Sequence, residues 1–112
     1  MTSKLIITAM MLALTSIATA DFEVVEEAHE IMLSDLQLPI EETGMIAFKE
    51  CAECTYQRVD VSKGTEYRIN GKAVPLKDFR EAMAMVAEPD NKFVGVLRHV
   101  RRNQVTVVWV NL

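Results

Sequence analysis

The sequence is poor in the residues from which small proteins make cofactor and catalytic sites. Its 112 residues include two cysteines, two histidines, four glycines and one tryptophan. A second cysteine pair, which would indicate a zinc site, is missing. The sequence has no glycine-rich phosphate loop and no serine in a nucleophile-elbow pattern. It therefore predicts no catalytic residue, and we expect a protein that is not an enzyme and has no cofactor.

An excess of positive charge is also missing. Ten acidic residues and one basic residue lie between positions 21 and 54, whereas ten basic and six acidic residues lie between positions 55 and 112. A general nucleic-acid-binding protein needs a net basic surface to neutralise phosphates. The net charge beyond residue 20 is −5, so we expect no nucleic-acid partner.

The longest hydrophobic run lies at the N-terminus. Lys4 precedes an apolar stretch with Thr and Ser from Leu5 to Ile17, and small residues follow at Ala18-Thr19-Ala20. This pattern is typical of a secretory signal peptide that is cleaved before Asp21, and its apolar stretch is short for a membrane span. We therefore predict a signal peptide at residues 1–20 and one small domain at residues 21–112. The mature protein would be periplasmic or secreted, with no stable membrane insertion.

Alternating apolar residues predict an α+β fold. Its sheet would be mainly antiparallel, open or barrel-like, with about five strands. Asn70-Gly71 predicts a tight type I′ hairpin turn, because both residues tolerate positive φ. The last strand is apolar on both faces, which predicts a position inside the sheet, with Val105, Val107 and Trp109 sharing one face. The predicted strand segments are Met45–Glu50, Tyr56–Val61, Thr65–Ile69, Lys72–Val74, Lys92–Val100 and Gln104–Leu112.

One helix is predicted from Leu76 to Glu88, because Leu76, Phe79 and Met83 recur at helical spacing and Pro89 ends the pattern. A second helix near the N-terminus, within residues 23–37, is the preferred interpretation of another stripe of apolar residues. An extended segment is the alternative there. His29, which lies among glutamates, is expected to be exposed.

Cys51 and Cys54 are separated by two residues, a spacing that several chemistries use. Thr55 stands where covalently bound haem requires histidine. A thioredoxin-like dithiol precedes a helix, whereas a strand is predicted here, and Glu53 disfavours a thiolate. A metal site would need further ligands, for which His99 is the candidate. In an exported protein the leading interpretation is a structural disulfide, and metal binding or thiol redox chemistry is the alternative.

A binding or accessory role follows from the lack of catalytic signals. Arg98, Arg101 and Arg102 gather at the end of the predicted C-terminal hairpin, where they could meet an acidic partner or an anion. The free edges of the sheet are a second candidate contact surface. We expect the partner to be an envelope protein or a small ligand.

Two segments carry a resemblance to a group of proteins. The first runs from Gly44 to Cys54 and is followed by Val59 and Val61; the second, from Thr65 to Phe79, includes the pattern Thr-x-Tyr-x-Ile-Asn-Gly. Together they resemble small exported proteobacterial proteins of unassigned function that combine a C-x-x-C pair with this hairpin. The similarity extends over nearly all of the predicted domain. It implies a single-domain exported protein and transfers no catalytic residue.

Overall fold

An eight-stranded, mostly antiparallel sheet and one α-helix form the part of the chain described by the structure, a computed structural model of residues 25–112. The predicted signal peptide and its cleavage position lie outside the described residues. Two short 3₁₀ turns are present, at Leu33–Asp35 and Pro89–Asn91. The elements are β1 (Glu26–Met32), β2 (Leu36–Gln37), β3 (Met45–Phe48), β4 (Gln57–Asp60), β5 (Glu66–Ile69), β6 (Lys72–Val74), α1 (Leu76–Ala84), β7 (Phe93–His99) and β8 (Gln104–Val110).

The preferred prediction of an N-terminal helix is wrong, because the described part of that segment begins with strand β1. All seven residues of β1 pair antiparallel with β7, from Glu26 opposite His99 to Met32 opposite Phe93. Ile31 turns into the core, whereas its neighbour Glu30 is exposed. Strand pairing places successive side chains on opposite faces of the sheet. This alternation overrides the helical spacing of the apolar residues in the sequence. The sheet has eight strands instead of about five, and β1 and the two-residue strand β2 are the two that the predicted strand segments do not include.

Strand β8 lies at the centre of the sheet, as its two apolar faces predicted. It pairs antiparallel with β7 on one side. On its other side it pairs parallel with β5, and a single bridge joins Gln104 to Asp60 of β4. The strand order is β1-β7-β8-β4-β3-β2, while β6 pairs with β5. The barrel-like alternative is therefore wrong, because the sheet is not closed and β1 and β2 form the two ends of this path.

The Asn70-Gly71 turn has the predicted conformation. Asn70 has φ 52° and Gly71 has φ 81°, and Ile69 pairs with Lys72 across the turn. The Asn70 side-chain oxygen also accepts a hydrogen bond of 2.7 Å from the backbone N–H of Leu112. The hairpin is thereby tied to the segment that follows β8.

An irregularity in β8 changes which of its residues face the core. Leu97 pairs with Val107 and Arg98 pairs with Val105, so Thr106 is an extra residue between the two pairs. Such a bulge shifts the alternation of side chains by one position. Val105 is therefore buried on the same side as Val108, and the prediction that it shares a face with Val107 and Trp109 is wrong.

The face of the sheet opposite the core carries a close contact between neighbouring strands. Gly95 of β7 pairs with Trp109 of β8, and the Trp109 indole lies directly over the glycine, so that a Cβ at position 95 would overlap the indole ring. Glycine is therefore required at this position for steric reasons.

The core lies between the sheet and α1. The helix buries Leu76, Phe79 and Met83 as predicted, and the Phe79 ring lies 5.5 Å from the Tyr67 ring of β5, centroid to centroid. The helix ends at Ala84 instead of Glu88, because the Met85 N–H bonds back to the carbonyl of Ala82 and tightens the last turn. The remaining large, fully buried residues are Ile31, Ile46, Phe48, Val59, Val94, Val96, Val105, Val108 and Val110.

Candidate functional site

The cysteine pair lies in the connection between β3 and β4, which spans residues 49–56. The Sγ atoms of Cys51 and Cys54 are at disulfide distance, their Cα atoms are 5.0 Å apart, and the Cys54 N–H donates a 3.2 Å hydrogen bond to the Cys51 carbonyl. Both residues are exposed. Phe48 and Gln57 pair at the base of the connection. The bridge therefore closes a turn between two strands, the position that the sequence predicts for it.

The loop that contains the cysteines is attached to strand β1. The Glu50 carboxylate contacts Nδ1 of His29, whose ring also lies 5.5 Å from the Phe48 ring. Only 16% of the His29 side chain is exposed, so the prediction of an exposed histidine is wrong. The pairing of β1 with β7 causes this burial, because it turns His29 to the same side as Ile31.

A second charge pair continues this contact to strand β7. Glu27 accepts a 2.8 Å hydrogen bond from Nη2 of Arg98, and its carboxylate lies 3.6 Å from Nε2 of His29. The hydrogen bond and the charge of Arg98 hold the pKa of Glu27 below its ordinary value. Polar contacts thus connect the disulfide loop, through Glu50 and His29, to the β7–β8 hairpin. We call these four residues, Glu27, His29, Glu50 and Arg98, the polar bridge.

The three predicted partner-binding arginines do not share one environment. Arg98 belongs to the polar bridge, where it donates to Glu27. It also donates a 2.8 Å hydrogen bond to Oδ1 of Asn103. Arg101 and Arg102 are exposed in the β7–β8 turn. The backbone N–H of Arg102 donates to Nδ1 of His99 at 3.3 Å. Arg101 and Arg102 thus lie at the exposed end of the hairpin, whereas Arg98 stabilises its base.

Within residues 25–112, no group of three or more His, Cys, Asp or Glu side chains is arranged to hold a metal ion. The element directly after the second cysteine is strand β4 and not an α-helix. The structure thus gives a thiolate at Cys51 or Cys54 no helix dipole, and Glu50 and Glu53 contribute negative charge on either side of Cys51.

The chain matches no protein-family model, no curated protein and no solved structure. None of the helices in the described part of the chain is long and apolar enough to cross a membrane. The exposed disulfide and this finding are both compatible with an exported protein.

The sequence pattern did not reveal the polar bridge. Its four members are spread over residues 27–98, and two of them meet only because β1 pairs with β7. One signal was present: in an extended segment Glu27, His29 and Ile31 alternate with the exposed Glu26 and Ala28. The segment was predicted as a helix, so this alternation was not used to predict a strand.

Proposed function

We propose that this protein is an exported, non-enzymatic binding or accessory module whose sheet is fixed locally by a Cys51–Cys54 disulfide. The observation that carries the proposal is the attachment of the disulfide loop. The disulfide spans a turn between β3 and β4. Glu50, the residue before Cys51, contacts His29 on β1. Such an arrangement suits a clip that holds separate strands in place.

The energetic value of this clip is modest. Closing a loop of so few residues removes chain entropy worth about 2 kcal/mol from the unfolded state. A domain of this size has a total stability on the order of 5–10 kcal/mol, so even that increment matters. The polar bridge extends the effect to the N-terminal strand, which the disulfide alone does not touch.

The contact surface that we propose combines the arginine tip with the sheet edges. Arg101 and Arg102 present positive charge at the β7–β8 turn, and strand β6 has only β5 as a neighbour in the described sheet. An acidic surface of an envelope protein, or a small anionic ligand, would complement the tip. An extended segment would complement the β6 edge.

Capture from an envelope extract, with the exported protein as bait, tests this role. We expect at least one envelope protein to be retained, and Arg102→Ala to weaken its retention at low salt. Arg68→Ala removes an exposed charge on β5, where Arg68 pairs with Trp109 toward the other end of β8 from the tip, and is the matched control. A module that retains no envelope protein at low salt would contradict the proposal.

The exposure of both cysteines favours one alternative, a thiol-redox or metal-binding protein that uses Cys51 and Cys54. An exposed disulfide is accessible to reductants. Thiol titration of protein purified without reductant distinguishes the two roles. Two free thiols would favour metal binding. A disulfide that is reduced readily and that supports insulin reduction would favour redox catalysis.

A further inference from the structure

A small cavity of about 190 Å³ lies at the N-terminus of α1. It adjoins a wider groove of about 830 Å³, and Glu42, Lys63, Pro75 and Leu76 line both. The groove runs between the loop at residues 40–43 and the exposed side of the helix. A ligand in the groove could therefore place one small group in the cavity.

One residue that lines the inner cavity, Tyr67, carries an unsatisfied polar group. Tyr67 is 4% exposed, and its hydroxyl has no hydrogen-bond partner in the part of the chain that the structure describes. Buried tyrosine hydroxyls normally have such a partner. The other buried polar side chain at this cavity, Thr65, is different: its hydroxyl donates to the Val105 carbonyl at 2.7 Å and accepts from the Ser62 N–H at 3.0 Å. Of these two hydroxyls, only that of Tyr67 is left without a hydrogen-bond partner among the described residues.

The helix terminus supplies further donors at the same place. Pro75 occupies the N-cap position and provides no side-chain cap. The first backbone N–H groups of an α-helix have no acceptor within the helix, and they carry partial positive charge. Donors from α1 and from Tyr67 therefore lie at one cavity, which favours an oxyanion such as a carboxylate.

The surrounding charges narrow the class of ligand. The lining of the groove contains three cations, Lys63, Lys77 and Arg80, and three acids, Glu41, Glu42 and Glu81. A simple anion would meet the carboxylate of Glu42, which also lines the inner cavity. A ligand that carries both a carboxylate and an ammonium group would be matched by both sets of charges.

We propose that this cavity and groove bind a zwitterionic ligand, an α-amino acid or a short peptide, through its carboxylate and its ammonium group. The carboxylate accepts hydrogen bonds from the Tyr67 hydroxyl and from the first amides of α1, close to Lys63. The ammonium group pairs with the acids of the groove, among them Glu42. This inference rests on the proposed binding function and specifies a ligand class for it.

Calorimetric titration of the exported protein tests the assignment with four probes: L-alanine, tri-alanine with free termini, its C-terminal amide and its N-acetylated form. We expect L-alanine or free tri-alanine to bind, and the one that binds identifies the source of the carboxylate. Among the peptides, blocking either terminus should lower affinity about tenfold or more, because each block removes a charge-assisted contact. Absence of binding by both unblocked probes at millimolar concentration would overturn the proposal.

Variants locate the binding site. Tyr67→Phe retains the buried ring and removes the hydroxyl, and we expect affinity to fall about tenfold while the circular dichroism spectrum is unchanged. Lys63→Ala should weaken binding in the same direction. Tyr56→Phe changes an exposed tyrosine in the disulfide loop and should have no effect. Equal affinity of Tyr67→Phe and the original protein would refute the site, whereas failed capture of an envelope protein would bear only on the wider binding role.

Discussion

Replacing Tyr67 by phenylalanine is expected to stabilise the ligand-free protein. The hydroxyl is buried without a hydrogen-bond partner among residues 25–112, whereas the ring packs against Phe79. Leaving a polar group buried and unpaired costs about 1–3 kcal/mol. Because the variant removes that group and keeps the ring, we expect the free energy of unfolding to rise by about 1 kcal/mol, the lower end of that range. This corresponds to about 4–8 °C in melting temperature for a domain of this size.

The same substitution has a pH signature. Burial, with a smaller contribution from the charge of Glu42, raises the pKa of Tyr67 to about 12 from an ordinary value of 10. In the unfolded chain the phenol begins to ionise near pH 10, so the unfolded state loses its proton first. The stability associated with the neutral phenol is therefore present below pH 10 and is lost as the pH rises from 10 through about 12.

Urea denaturation of both proteins at pH 8 and pH 11 measures these effects. The advantage of Tyr67→Phe should be larger at pH 11, and subtracting the two proteins cancels the titration of the lysines that they share. Tyr56→Phe, at an exposed position, serves as the control. A variant that is less stable than the original at pH 8 would show that the hydroxyl has a partner, which would refute the reasoning.

Three further outcomes follow from the fold and the polar bridge. Glu27→Gln should flatten the acid limb of the stability curve, because the lowered pKa of Glu27 contributes stability above its ordinary value of 4.5 that is lost as the pH falls through the folded-state pKa; urea denaturation between pH 2 and pH 7 checks this. Gly95→Ala should lower stability by about 1–3 kcal/mol and change the fluorescence of Trp109, whose indole occupies the space of the added methyl group; Gly64→Ala, where the nearest atom is 3.5 Å away, is the control. Replacing Cys51 and Cys54 by alanine should cost up to about 2 kcal/mol and leave the far-ultraviolet circular dichroism spectrum unchanged.

The sequence predicts the parts of the fold whose signals are local. Asn70-Gly71 specifies its own turn, because the positive φ of both residues is a property of those residues. The helical stripe of α1 is equally local, and so is the two-sided apolar character of β8. Strand β1 is different: its extended form depends on pairing with β7, about seventy residues away, so a local pattern could not distinguish it from a helix.

The candidate sites follow the same division. The turn formed by Cys51 and Cys54 was predictable because both cysteines lie between recognisable strand segments. The polar bridge and the cavity beside Tyr67 were not predictable, because each joins residues from separate strands and loops. The bulge at Thr106 was not predictable either. A single extra residue changes which face of the sheet its neighbours occupy, and the amino-acid composition of the strand does not indicate it.

The position of β8 has a consequence for how the chain folds. This strand follows all the others in sequence, yet it lies between β7 on one side and β4 and β5 on the other. The sheet therefore cannot be completed until the last strand has been synthesised, and pairings as distant as Glu26 with His99 are of the kind that slows folding. A chain whose central strand comes last cannot complete its sheet during its own synthesis.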